Sequence, residues 1–202
     1  LPALMGEQDI VKALQLLPGV QSGREGSSDF YVRGGGPDQN LILLDGVPVY
    51  NVSHLLGFLS VFNADAIKSV SLYKGGFPAR YGGRLSSVVD IQLKEGNNQS
   101  FHGQGSVGLL SSKILLEGPI VKNKSSFLFS ARRSYADMFL TPILKKANGD
   151  YINYYFYDLN LKANYYFSTN NRLYLSLYGG KDDFSFNSDS EDRISEDKTR
   201  YG

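Results

Sequence analysis

From Phe30 to Asn51 the chain reads FYVRGGGPDQNLILLDGVPVYN, and from Ser69 to Lys94 it reads SVSLYKGGFPARYGGRLSSVVDIQLK. Short apolar runs (Leu41 to Leu44, Val47 to Tyr50, Val70 to Tyr73, Val88 to Leu93) stand between glycine clusters. Runs of this length bounded by turn residues predict short buried strands joined by tight turns. Asp45-Gly46 predicts a two-residue hairpin turn, because both central positions of such a turn need positive φ. Gly34-Gly35-Gly36 reads as an ordinary tight turn. A phosphate cradle needs a following helix whose amides point at the anion, whereas Pro37 to Asn40 leads into a β-type run.

Upstream, residues 1–19 hold one helix candidate. Asp9 caps it, Ile10, Leu14 and Leu17 fall on one face, and Pro18-Gly19 stops it. Residues 20–29 (VQSGREGSSD) are polar and glycine-rich, hence a loop. The connector from Asn51 to Ile67 carries His54 and the apolar series Leu55, Leu56, Phe58, Leu59, Val61 and Phe62, which suits a short helix or a packed loop. A lone histidine in such a run reads as structural or solvent-facing. With His54 and His102 the only histidines, a metal site would need mostly carboxylates, and no spacing offers them.

Downstream of Ser100 the texture changes. Of 14 tyrosines only Tyr31, Tyr50, Tyr73 and Tyr81 precede it, which sets a boundary between two environments near Glu95 to Ser100. From Tyr155 to Phe167 the odd positions (Tyr155, Tyr157, Leu159, Leu161, Ala163, Tyr165, Phe167) are apolar or aromatic. The even ones include Asp158, Asn160, Lys162 and Asn164. This is a long period-2 strand with tyrosines at both ends of its apolar face, as a girdle around a lipid-facing band would require. Leu173, Leu175 and Leu177 continue the alternation after a turn at 168–172, so the two form a hairpin. Phe127 to Tyr135 and Gly103 to Glu117 are a third and a fourth strand, and Asn187 to Arg200 is a charged exposed loop. A soluble β-sandwich also alternates, but its strands average about 5 to 6 residues. The length of these strands favours a barrel wall.

Composition excludes several classes. The 202 residues are 42% hydrophobic and 20% charged, which is not the make-up of a disordered chain. A net charge of +1 gives no basic excess for nucleic acid, so no such partner is expected. The absence of cysteine removes disulfides, thiolate metal sites and cysteine nucleophiles. No apolar run reaches the length of a transmembrane helix, a test that says nothing of membrane strands. Neither a nucleophile–base pair nor a cofactor motif is visible, so no enzyme and no cofactor are expected. The chain begins at Leu1 without a visible leader, so a processed product or an excerpt is expected.

The order LPGVQ, FYVRGGGPDQN, LILLDGVPVYN and AIKSVSLYKGGFPARYGGRLSSVVDIQLKEG resembles the plug domain of TonB-dependent outer-membrane receptors. The variant is similar to those of Bacteroidota-type bacteria, often preceded by a carboxypeptidase-regulatory-like domain. The resemblance runs from about Gly6 to Glu95, and the remaining residues resemble the first barrel strands. It implies an α+β plug (1–96) followed by antiparallel transmembrane β-barrel strands (97–202), here an incomplete barrel in the cell outer membrane. It also implies energised import of a scarce or bulky ligand. The implied partners are TonB, acting through a segment upstream, outer-membrane lipid, the remaining barrel strands and a surface lipoprotein. About four strands cannot close a barrel, so a fragment or the ordered part of a larger protein is expected. The rival function is a receptor-like subunit of a surface or secretion assembly. In the family, buried plug arginines pair with barrel glutamates. Arg33 matches one such position, and Arg80 or Arg84 another. Outward plug loops contact ligand in the family, which makes residues 24–29 (Arg24 foremost), Tyr50, Asn51 and His54 candidates.

Overall fold

The computed structural model describes residues 3–4, 7–24, 26–54, 57–135, 137–138 and 151–187. The chain opens with a short ribbon of β1 (Ala3–Leu4) and β2 (Glu7–Gln8). Helix α1 (Ile10–Gln15) follows, and the Asp9 carboxylate accepts from the backbone N–H of Val11 at 2.8 Å and Lys12 at 3.2 Å. That is the cap the sequence predicts. Strands β3 (Val20–Ser22) and β4 (Phe30–Val32) form a second ribbon.

The centre of the N-terminal unit is a four-stranded sheet. It contains β5 (Asn40–Leu44), β6 (Val47–Pro48), β9 (Ile67–Tyr73) and β10 (Ser87–Leu93), in the order β6-β5-β10-β9. β5 and β10 run parallel, Asn40 beside Ser87 through Leu44 beside Ile91. Strands covered on both faces read as unbroken apolar runs, which explains NLILL and SVV. Between β6 and β9 lies a ribbon of β7 (Ser53–His54) and β8 (Leu59–Ser60), then a 3-10 turn at Ala64–Ala66. The connector is therefore a ribbon rather than a helix among its described residues; Leu55 and Leu56 lie outside them.

The two turns singled out in the sequence share one geometry. Asp45 and Gly46 have φ of 49° and 84°, Arg33 and Gly34 49° and 85°. Positive φ at both central residues is the hairpin turn that matches strand twist. The glycine cluster thus closes Val32 onto Gly35 through two backbone hydrogen bonds (3.2 and 2.9 Å), and only a 3-10 turn at Pro37–Gln39 follows.

The second unit is an antiparallel meander of β11 (His102–Val107), β12 (Ser111–Val121), β13 (Ser125–Ser134), β14 (Tyr151–Tyr166) and β15 (Arg172–Asn187). It has five described strands where the sequence predicts about four, because 103–117 is not one strand but β11 and the start of β12. Its glycines and serines blur the alternation, and the turn at 108–110 is closed by Gly108 N–H on the Ser111 carbonyl at 2.8 Å. The Tyr135 hydroxyl also donates to the Gly108 carbonyl. Of the loop expected at 187–200, Asn187 ends β15 and the rest lies outside the described residues.

The faces follow the period. On β14 the even residues from Tyr154 to Asn164 are buried, while Tyr157, Leu159, Leu161 and Tyr165 on the odd face are 37–43% exposed. The registers align the outward residues Phe129, Leu161 and Leu177 in one row and Phe127, Ala163 and Leu175 in the next. The N-terminal unit packs on the even face. One apolar core joins Phe30, Val89, Ile91 and Leu93 of that unit to Leu115 and Leu128 of the wall.

Candidate functional site

The seam between the two units is polar, and it is built from facing ionic partners. Wall cations meet carboxylates of the N-terminal unit: Lys113 with Asp65 at 2.9 Å, Lys162 with Asp45 at 2.9 Å, Arg172 with Glu95 at 2.7 Å, and Arg132 with Glu7 at 3.7 Å. Charge buried at an interface is tolerated only when its partners and hydrogen bonds are supplied together.

The deepest knot centres on Asp158, wholly buried on β14. One carboxylate oxygen accepts from Arg132 Nε at 2.9 Å and from its terminal nitrogen at 2.6 Å. The other accepts from His54 Nε2 at 2.7 Å and from the Tyr178 hydroxyl at 3.0 Å. Arg132 also donates to the Ser60 carbonyl at 2.6 Å, so one guanidinium ties β13 to β14 and to β8. Glu7 accepts from the Ser111 hydroxyl, and the Asp9 carboxylate that caps α1 accepts from Ser60 N–H at 2.8 Å. Gly180 lies opposite Asp158, and a Cβ there would stand 2.7 Å from the Tyr178 hydroxyl and 3.0 Å from the carboxylate. The glycine makes the knot fit.

His54 spans two strands of the wall. Its Nδ1 stands 2.8 Å from Asp182, which also accepts from the Tyr154 hydroxyl. Its ring stacks on Phe156 at 4.2 Å and 10°. Burial pulls its pKa down, and the hydrogen bonds and charges of Asp158 and Asp182 outweigh that, leaving it above the ordinary 6.5.

The second knot lies toward the end of the wall that carries the short turns at 122–124 and 167–171. Asp45 accepts from Lys162, from Leu93 N–H at 3.0 Å and from the Ser176 hydroxyl at 2.6 Å. Lys162 donates in addition to the Leu93 carbonyl at 3.1 Å. Glu95, two residues beyond β10, takes the Tyr166 hydroxyl at 2.9 Å as well as Arg172. Burial pushes the Glu95 carboxyl up, but Tyr166, Arg172, Lys68 and Lys162 together hold it below its ordinary 4.5. A polar cavity of about 520 Å³ opens beside these groups, lined by Asp45, Asp90, Arg80, Lys162, Arg172 and Tyr174 among others.

The sequence candidates fall elsewhere, with one exception. Arg33 is exposed at its turn, and its described contacts hold no carboxylate. Arg80 is exposed and donates to the Tyr81 hydroxyl at 2.7 Å, which donates to Asp90 at 2.8 Å. Arg84 is half-buried and donates to the Gly83 carbonyl at 2.8 Å. Arg24, Tyr50 and Asn51 are exposed, Tyr50 by 84%. His54, expected on a ligand-facing loop, is 3% exposed in the seam and is closed to a ligand in this arrangement. The reading missed Glu7, Asp45, Arg132, Asp158 and Lys162. The charged residues on the even face of 155–167 were the available signal, since a charge on a buried face needs a partner across the seam.

Residues 3–89 match the family model described as TonB-dependent Receptor Plug Domain. Among curated proteins, the ferrienterobactin receptor of Escherichia coli (strain K12) is 31% identical over 114 residues, 48% of this chain and 15% of that protein. Among solved structures, the siderophore receptor PirA from Acinetobacter baumannii superposes with a TM-score of 0.61 at 20% identity, covering 88% of this chain and 30% of that one. PirA from Pseudomonas aeruginosa gives 0.61 at 18% identity over 88% and 31%. The chain thus spans 15% of that curated relative and under a third of these solved ones.

Proposed function

We propose that this chain, which carries the plug domain of the TonB-dependent receptors and strands of their barrel, is the gate and first wall segment of an outer-membrane importer. The carrying observation is the seam: a plug pinned to the lumen face of a wall by buried ion pairs. Such a seam holds the lumen shut at rest, and each pair can be re-wetted when the plug is displaced. The division near residues 96 and 97 belongs to this proposal, supported by the change of sheet between Leu93 and His102. TonB is the partner that displaces the plug, the remaining strands close the barrel, lipid covers the odd face, and a surface lipoprotein is a further candidate partner. The names of the relatives support a ferric siderophore as the first cargo to try. Arg33, Arg80 and Arg84 remain proposed locks toward wall strands beyond this chain. Arg24, Tyr50 and Asn51 remain proposed outward contacts.

The experiment is uptake of radiolabelled iron in siderophore-fed cells, with the full receptor intact or deleted for its TonB-contacting segment. Loss of uptake on deletion supports the reading. Undiminished, energy-independent uptake, or none in the intact receptor with any scarce bulky ligand, overturns it in favour of a non-transporting surface subunit.

A further inference from the structure

His54 is the seam residue whose charge ordinarily changes near neutral pH. It carries a carboxylate on each ring nitrogen, Asp158 at 2.7 Å and Asp182 at 2.8 Å. Carboxylates only accept hydrogen bonds, and a neutral imidazole has one N–H and one lone pair. The neutral ring therefore serves one aspartate and turns a lone pair on the other. It cannot swing aside, because Phe156 lies stacked against it at 4.2 Å and its exposure is 3%. We propose that His54 is a positioning residue that clamps the plug to two wall strands as an imidazolium, and that loss of its proton slackens the plug. This inference rests on the gating reading above and names one clasp of the gate.

The described neighbours already hold the other positions on these carboxylates. From β13, Arg132 holds the far oxygen of Asp158, and from β15, Tyr178 holds the near one. From β14, Tyr154 donates to the Asp182 oxygen that His54 does not use. Glu7 on β2 and Asp9 before α1 are both acidic, and they are engaged with Ser111 and Ser60. Among the described residues, Arg132, Tyr178 and Tyr154 are thus each already engaged with one of these two carboxylates. Since the native arrangement raises the proton affinity of His54, the clasp is complete below the ordinary value of 6.5 and is lost as pH rises through the higher folded value.

The test uses the full receptor in detergent micelles without TonB or cargo. Amide exchange of residues 53–60 is followed from pH ~6 to ~9 and divided by the intrinsic rate at each pH. The expected result is a fall in protection on the order of tenfold across that range, which the His54→Gln receptor lacks. A wild-type profile that stays flat, or a His54→Gln profile that keeps the full response, overturns the proposal. If His54→Gln does not assemble, Asp182→Asn serves. Removing one carboxylate should shift the response to lower pH, and an unshifted response also overturns the proposal. Because no import is measured, failure here leaves the import reading standing, and failed import leaves the clasp standing.

Discussion

Arg132→Ala tests the seam most directly. The guanidinium is 2% exposed, forks onto Asp158 at 2.6 and 2.9 Å, and caps the Ser60 carbonyl at 2.6 Å. Deleting one partner of a buried pair typically costs about 3–5 kcal/mol, since the other charge stays buried. Asp158 keeps His54 and Tyr178, so the lower end applies, about 3 kcal/mol. At about 1.4 kcal/mol per tenfold, the opening equilibrium of β7 and β8 should rise by roughly a hundredfold. Amide exchange of residues 53–54 and 57–60 in the intact protein measures this, with strands β12 to β14 as internal reference. Arg132→Lys keeps charge but loses the fork, and should cost less than Arg132→Ala. Arg132→Ala combined with Asp158→Asn should cost less than the sum of the two single changes, because each removes the other's reason for being buried. Exchange within about twofold of the parent, or strict additivity, would refute the ionic-seam reasoning.

The other predictions separate roles that share a residue or a surface. Asp45→Asn should keep the hairpin, since asparagine tolerates positive φ, yet free Lys162; Asp45→Ala should lose both, and differential scanning calorimetry should rank the losses in that order. Gly96→Ala should destabilise by more than about 1 kcal/mol, because φ is +81° and the added carbon would overlap the Phe127 carbonyl; an unchanged melting temperature would exclude that crossing. Glu95 contributes stability at pH above its ordinary 4.5 that is lost as pH falls through its lower folded value, so limited proteolysis at 96–101 should accelerate only below that point. Spin labels at Leu159 and Leu161 should contact lipid whereas labels at Asn160 and Lys162 should not, and equal accessibility at all four would reverse the assigned faces.

Much of the fold was legible because it rests on local rules. Asp9 as a cap, Asp45-Gly46 as a turn and the alternation of 155–167 depend on neighbours in sequence, and each appears in the structure. The strand missed within 103–117 has glycine at 103, 105 and 108, which carry no side chain to alternate. The site was less legible because its partners lie far apart in the chain. His54 and Asp158 are 104 residues apart, Asp45 and Lys162 117. No window of sequence reports such a pairing. The resemblance singled out arginines of the N-terminal unit. The described seam is joined instead by the wall cations Lys113, Arg132, Lys162 and Arg172 and by His54, none of which it named as a lock. A charged residue on the buried face of an amphipathic strand was the clue within reach.

The order β6-β5-β10-β9 has a mechanical consequence. Tension entering at the N-terminus meets β1 and β2, α1, and then the β3–β4 ribbon, all outside the central sheet. Small ribbons of this kind unzip rung by rung. β5, by contrast, is flanked on both sides and held by its parallel partner β10, so the same tension must shear several bonds at once. The ribbons therefore yield to such tension before the central sheet does, once the core contacts of Val11, Phe30 and Val32 are broken. Peeling from that end would release Glu7 and Asp9, and with them the outer fastenings of the seam, while the sheet that carries Asp45 stays folded.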